Sequence, residues 1–225
     1  TDIWVAPDGD AERATQLSSV SGKLDGWDSV AWTPDGKIVY TSVAGGGNDG
    51  IWIMDGDGRN RKRLTSAETV AYWPSVRSDG RFIFYNVEIG RNRKVWRMNI
   101  DGTDQKEMFA GSGPKTAAGF LYYGAGGGIR RVPIDGGEPV QITVEGDTER
   151  CAISGDGKLL ACQFDPPDGS RARIRLLSAD DGAAAKEFEV KLALPGRIRW
   201  MPDGSAITYI SRVDGLSDIW SQPVA

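Results

Sequence analysis

Five arginines are the residues whose type and spacing are best suited to binding a ligand. A guanidinium group offers several N–H donors in a planar fork that matches a carboxylate. The arginines lie in two stretches of the sequence. If the second stretch is a β-strand, Arg171, Arg173 and Arg175 share one of its faces, because side chains alternate along a strand. The pattern predicts an anion-accepting patch for a carboxylate, an acidic peptide or a sugar acid. The alternative is that these side chains lie along exposed strands and pair with acidic neighbours. The arginines are Arg130, Arg131, Arg171, Arg173 and Arg175.

A second cationic stretch runs from Glu88 to Lys94 and includes Arg91 and Arg93. It is either a further binding loop or a solvated hairpin tip, and its composition fits both interpretations.

A conventional serine-hydrolase triad is excluded by what the sequence lacks. The 225 residues contain no histidine and no G-x-S-x-G motif, so a Ser-His-Asp triad cannot form. Glycoside hydrolysis needs only two carboxylates, and the chain has 31 acidic residues. Most of them stand in turn sequences, where Asp has a structural role. We therefore expect a protein that is not an enzyme and needs no cofactor.

Metal and phosphate binding are equally poorly supported. The segment Asp55-Gly56-Asp57-Gly58-Arg59-Asn60 resembles a calcium loop, but it lacks the closing Glu of an EF-hand and is better explained as a hairpin turn. The glycine-rich segments 45–47 and 124–128 carry no Walker lysine and lead into strands. We expect no metal site.

Charge and hydropathy narrow the class of partner. The formal net charge is −4, whereas a nucleic-acid-binding protein needs a concentrated cationic surface. No stretch approaches the 18 apolar residues of a membrane-spanning helix. The sequence begins with Thr1 and no leader is recognisable, so we expect any targeting signal or anchor to lie outside it. The expected partner is a protein or a small anionic ligand, with neither nucleic acid nor direct membrane insertion.

A repeat organises the whole chain. Each unit has a strand, an Asp-Gly turn, a second strand, a loop, a third strand that begins Ile/Val-Trp, and an outer strand. The second residue of the third strand recurs at intervals of 34 to 48 residues, the range of β-propeller blades. In two neighbouring units this residue is Arg130 or Arg175 instead of Trp. The third strands begin at Ile3-Trp4, Ile51-Trp52, Val95-Trp96, Ile129-Arg130, Ile174-Arg175 and Ile219-Trp220.

The repeat predicts an all-β propeller of four-stranded antiparallel blades in a single domain, 1–225. Either five blades close when one terminus completes the last blade, or the chain is an arc of a six- to seven-bladed propeller, and the strand census slightly favours the arc. The unit at 113–143 is short, and its first strand is reduced. The units are approximately 1–19, 28–66, 72–110, 113–143, 147–190 and 196–225.

The first hairpin of the fifth unit bears on the two cysteines. If Gly155-Asp156-Gly157 is a three-residue loop, Cys151 faces Ala161 and the two sulfurs point to opposite faces of the sheet. We therefore predict no disulfide with Cys162. A four-residue loop would place the cysteines opposite each other.

The motifs Trp32-Thr33-Pro34-Asp35-Gly36, Ile51-Trp52-Ile53-Met54-Asp55 and 132–143 resemble the TolB-type propeller repeat family. The last is similar to blade ends of propellers fused to bacterial serine/threonine kinases or winged-helix regulators. The resemblance covers nearly the whole chain and implies a bacterial, periplasmic or extracytoplasmic protein used for interaction or sensing in signalling.

Three functions follow from these observations. The first is a protein- or ligand-binding module of a larger bacterial protein. The second is a propeller that gates substrate for a prolyl-oligopeptidase-like catalytic domain supplied elsewhere. The third is a propeller fragment that self-associates to complete its ring.

Overall fold

The computed structural model describes residues 2–7, 10–18, 24–44, 47–143, 150–165, 172–190, 198–213 and 216–224. Regular structure in these ranges is almost wholly β, and a 3-10 turn lies at Ala11–Arg13. Within the same ranges, no helix has the length and apolar character needed to cross a membrane.

The chain divides into two compact units, Thr1–Pro114 and Lys115–Ala225. The first unit holds a two-stranded sheet and two four-stranded antiparallel sheets, in which strands adjacent in sequence are also hydrogen-bonded neighbours. The strands are β1 Trp4–Val5, β2 Thr15–Gln16, β3 Asp25–Trp32, β4 Ile38–Ser42, β5 Gly50–Met54, β6 Lys62–Arg63, β7 Val70–Val76, β8 Phe82–Ile89, β9 Asn92–Asn99 and β10 Lys106–Ala110.

The second unit repeats this arrangement, and its first strand begins just before the boundary. It has two four-stranded sheets, β11 to β14 and β15 to β18, and a three-stranded sheet, β19 to β21. The strands are β11 Ser112–Ala117, β12 Phe120–Ala125, β13 Gly128–Pro133, β14 Val140–Gln141, β15 Cys151–Ile153, β16 Leu159–Phe164, β17 Arg173–Ser178, β18 Ala184–Glu189, β19 Arg199–Trp200, β20 Ala206–Val213 and β21 Leu216–Pro223.

Sheets built from consecutive antiparallel strands are the blades of a β-propeller. The predicted fold class is therefore confirmed. The described residues form five blades, four of them with four strands and one with three, and the two-stranded β1–β2 sheet lies beside them in the first unit. The first strand of the 113–143 unit, which we expected to be reduced, is the six-residue strand β11.

Fully buried side chains of successive blades form the core. In the first unit, Val39 and Ile51 of one blade pack with Ile83, Tyr85 and Met98 of the next. Burial raises the pKa of the Tyr85 phenol well above its ordinary value.

The third-strand tryptophans differ in burial. Trp52 and Trp96 pack against hydrophobic clusters, as expected for contacts between blades. Trp4 and Trp220 are 58% and 46% exposed.

The hairpin β15–β16 corrects the prediction for the cysteines. The Ser154 N–H donates to the Leu159 carbonyl oxygen at 2.9 Å, so the loop has four residues, Gly155 to Lys158. Cys151 then lies directly opposite Cys162, and the two form a disulfide. The prediction of no disulfide was wrong because one additional loop residue turns a strand's side chains to the other face.

The β1–β2 sheet packs on the β3–β6 blade through Ile3 and the buried Tyr40. Arg61 of this blade donates to the Leu17 carbonyl oxygen beside β2 and also forms an ion pair with a buried aspartate. Asp25 is 2% exposed, accepts a hydrogen bond from Ser42 and lies 3.7 Å from the guanidinium of Arg61. Burial, together with the Asp25 charge, raises the pKa of Tyr40 to about 12.

Candidate functional site

The structure places Arg131 in an intramolecular ion pair. Its Nη1 donates to the Asp180 carboxylate at 2.6 Å and to the Ala179 carbonyl oxygen at 2.9 Å. The guanidinium carbon lies 4.7 Å from the centre of the Phe120 ring. The hydrogen bond to Asp180 raises the pKa of Arg131 above its ordinary value. This arginine joins neighbouring blades of the second unit.

Arg173 and Arg175 share one face of β17, as strand alternation predicts, and converge on Glu187 of β18. The two arginines donate to the Glu187 carboxylate at 2.7 Å and 2.5 Å. Hydrogen bonds from Arg175 and then Arg173 lower the pKa of Glu187. The Arg175 guanidinium also stacks on Phe164 at 3.5 Å. The charge of this pair is partly offset by its acidic neighbour.

The remaining predicted arginines are not gathered with these. Arg130 precedes Arg131 on β13 and so projects from the opposite face of the sheet, directly across from Tyr123. Burial raises the pKa of the Tyr123 phenol, and the neighbouring Arg130 opposes that rise. Arg171 lies outside the described residues. The anion-accepting patch stays a prediction.

The second cationic stretch, residues 88–94, lies at the tip of the β8–β9 hairpin. Glu88 pairs with Arg93, and Ile89 pairs with Asn92 across a two-residue turn. Ile89 is 49% exposed. Next to these residues is the beginning of β7, where Val70 pairs with Glu88.

A β-bulge interrupts β7 beside this hairpin. Tyr72 pairs with Asn86 and Ser75 with Phe84, so Trp73 and Pro74 together oppose a single residue. Proline has no N–H for the ladder, which makes a bulge a favourable place for it. A bulge bends the strand and redirects its side chains.

Trp73 has a left-handed backbone, with a φ of 55°. This region is unfavourable for a bulky aromatic residue, and such strain costs on the order of 1–3 kcal/mol. The other residues of positive φ outside glycine, Asn60, Asp104 and Ala118, lie in or beside turns. Strain at a strand residue is typical of functional positions.

The bulge brings Trp73 into a cluster with Tyr72, Glu88 and Arg93, which we call the Trp73 cluster. The Tyr72 and Trp73 rings meet edge to face, with centroids 4.8 Å apart. The Arg93 guanidinium lies 5.1 Å from the Trp73 ring, and the Tyr72 hydroxyl donates to Glu88 at 3.1 Å. Trp, Tyr and Arg are the residues that contribute most often to binding energy at protein interfaces.

Sequence reasoning found the basic half of the Trp73 cluster and missed the aromatic half. The adjacent residues Tyr72, Trp73 and Pro74 were a usable signal, since proline in a strand indicates an edge or a bulge. In the described part of the chain, no group of three potential metal ligands is present.

Comparison with known proteins finds solved structures with a similar fold. No family model and no curated protein matches the sequence. Among solved structures, the chain is similar to TolB from Acinetobacter baumannii, with a TM-score of 0.76 and 21% identity over 96% of this chain. It is also similar to a putative TolB from Agrobacterium tumefaciens, with a TM-score of 0.70, 18% identity, and coverage of 94% of this chain and 79% of the other.

These similarities define a TolB-like β-propeller, and at this identity they show the fold alone. The chain spans 55% of the length of the Acinetobacter protein. The likeness extends to a prolyl endopeptidase, with a TM-score of 0.58 and 14% identity over 95% of this chain and 37% of the other. One fold serves many unrelated functions, so the function of this chain must be argued from its surface.

Proposed function

We propose that this chain is a non-enzymatic binding module that recognises a protein partner through the Trp73 cluster. The observation that carries the proposal is the left-handed Trp73, whose ring contacts both the Tyr72 ring and the Arg93 guanidinium. A strained aromatic residue is maintained against an energetic cost, and recognition of a partner gives a reason for that cost.

The composition of the cluster favours a protein over a small anion. An aromatic centre with a polar margin is typical of a protein interface. Here two aromatic rings are in contact with charged side chains, since the Tyr72 hydroxyl donates to Glu88 and the Arg93 guanidinium lies over the Trp73 ring. Nucleic acid is disfavoured by the net charge of −4. A small anionic ligand at the predicted arginines is the less favoured partner, because Arg131, Arg173 and Arg175 already bind carboxylates of the chain.

The same proposal places the module in an extracytoplasmic compartment, as the sensing or interaction part of a larger bacterial protein. The Cys151–Cys162 disulfide supports this, since disulfides persist in oxidising compartments and are rare in the cytosol.

Photo-crosslinking tests the proposal. A benzophenone amino acid at Ile89 should capture a defined bacterial protein, and the same group at the similarly exposed Val140, which is 54% exposed, serves as the control. The purified partner should then bind Trp73→Gly at least tenfold more weakly than the unchanged chain. Glycine accepts a positive φ without strain, so this variant removes the ring and preserves the backbone. Equal capture at both positions, or full affinity in Trp73→Gly, would refute the proposal.

A further inference from the structure

The β8–β9 hairpin continues beyond the point at which the β12–β13 hairpin turns back. In β12–β13 one residue pair follows Gly124 and Ile129 before the turn. In β8–β9 three pairs follow Asn86 and Val95, which occupy the same place in the repeat. Because an antiparallel strand rises about 3.4 Å per residue, the two additional pairs lengthen this hairpin by about 7 Å. We call residues 87–94 the arm.

The apex of the arm is a two-residue turn that can hold a side chain. Gly90 and Arg91 join the paired residues Ile89 and Asn92. Gly90 has a φ of 64° and Arg91 does not have a positive φ, which is the pattern of a type II′ turn. In the β12–β13 hairpin both turn residues are glycines of positive φ, Gly126-Gly127. The arm therefore presents a guanidinium at a position where the other hairpin presents only backbone.

The arm is cationic in a chain whose net charge is −4. It contains Arg91, Arg93 and Lys94 and one acidic residue, Glu88. Lys94 is paired with Glu107 of β10 at 2.6 Å. The excess positive charge of the arm therefore lies on its two arginines.

Arg91 differs from the other cations of the arm in having no partner within the described ranges. It is exposed, and it forms no ion pair, hydrogen bond or ring contact with any residue that the structure describes. By contrast, Arg131, Arg173 and Arg175 bind carboxylates of the chain. A guanidinium fork without an internal partner is available to an external carboxylate, which it matches in shape and charge.

We propose that the arm binds an acidic segment of the partner protein. A carboxylate of this segment pairs with the Arg91 guanidinium, and an apolar side chain covers Ile89, which is 49% exposed. This names the chemistry of the partner and so rests on the proposed function. Complementary charges at an interface speed the encounter and select the partner more than they add affinity. The Trp73 cluster supplies most of the affinity, and Arg91 supplies selectivity for acidic sequences.

Nucleic acid is the other polyanion with which Arg91 could pair. Its affinity for proteins comes from several phosphate contacts made together. The arm has three cations, and one of them, Lys94, is already paired with Glu107. An acidic protein segment is therefore the occupant that fits the arm.

Selection from a random peptide library displayed on phage tests the proposal without knowledge of the partner. The immobilised chain should enrich peptides rich in Asp and Glu, and Arg91→Gln should not. Gly90 keeps the turn in this variant, so the fold is preserved. Arg59→Gln is the matched control, because Arg59 lies at another hairpin turn of the first unit and its side chain is 82% exposed.

The most enriched peptide then gives the size of the effect. Its binding is measured by fluorescence anisotropy with the unchanged chain and both variants. Arg91→Gln should weaken binding about fivefold at low salt, as expected for an exposed ion pair, and Arg59→Gln should leave it unchanged. Physiological salt should reduce the difference, because exposed charges are screened.

Three results would overturn the proposal. The first is a set of selected peptides without an excess of acidic residues, or no enriched peptide at all. The second is equal enrichment of acidic peptides by Arg91→Gln. The third is a single-stranded oligonucleotide that binds more tightly than the peptide and depends on Arg91.

Trp73→Gly separates this proposal from the proposed function. If the crosslinked partner depends on Trp73 but binds Arg91→Gln with full affinity, the proposed function stands and the acidic segment is wrong. If acidic peptides depend on Arg91 while the partner binds Trp73→Gly with full affinity, the arm is correctly assigned and recognition through Trp73 is wrong.

Discussion

Reduction of the Cys151–Cys162 disulfide should lower the free energy of unfolding of the second unit. The number of residues in the loop that the disulfide closes determines by how much. The cysteines are 11 residues apart. In the chain-entropy model a closed loop of this size stabilises the folded state by about 3 kcal/mol at 25 °C. Reduction leaves both side chains in place, so it introduces no cavity at these buried positions. Nearly the whole effect then comes from the freedom regained by the unfolded chain.

Urea unfolding of oxidised and reduced protein measures this effect. For a unit of this size the dependence on urea is about 1–3 kcal/mol/M, so the midpoint should fall by about 1–3 M on reduction. The double variant Cys151→Ala, Cys162→Ala should unfold at a midpoint that reductant does not change. Thiol titration confirms complete reduction.

Two results would refute the reasoning. One is a midpoint for the unchanged chain that stays fixed after complete reduction, which would mean that the crosslink does not constrain the unfolded ensemble. The other is free thiols in protein purified without reductant from an oxidising compartment. That result would contradict the disulfide itself.

Two further predictions concern ion pairs. Asp25→Asn should lower the free energy of unfolding by about 3 kcal/mol in urea titrations, because it leaves the partly exposed Arg61 charge without its buried partner. A change as small as that for the exposed Asp2→Asn would contradict this. The lowered pKa of Glu187 means that its contribution to stability is present above the ordinary glutamate pKa and is lost as the pH falls through the lower, folded-state pKa. Glu187→Gln should therefore flatten the acid limb of a plot of melting temperature against pH, and an unchanged acid limb would contradict the assignment.

The propeller fold was predictable because the sequence signals for the strands and turns of each blade are local. Asp-Gly turns, strand alternation and the recurring Ile-Trp pair all indicate the same hairpins, and agreement between levels specifies a fold. The blades that the turns predicted at Asp35-Gly36 and Asp79-Gly80 are the blades observed.

Loop length was not predictable, and it decides which face each side chain occupies. Pro34-Asp35-Gly36 forms a three-residue loop, closed by a hydrogen bond from Thr33 to Lys37. The identical tripeptide at 202–204 lies in a four-residue loop, closed from Met201 to Ala206. The turn residues therefore fix the bend without fixing the register, which depends on how the side chains of both strands pack against neighbouring blades. The cysteine prediction failed at this step.

The same dependence on partner strands explains why the arginines were the visible candidates and the Trp73 cluster was not. The sequence shows that an arginine carries a charge, but it does not show which acidic residue will pair with that arginine. Glu187 is 12 residues from Arg175 in sequence and reaches it only through strand pairing. A bulge is a property of two strands, so the left-handed backbone of Trp73 appears only when β7 is aligned with β8. The recognition that we propose for Trp73 thus depends on a feature that arises from the pairing of strands.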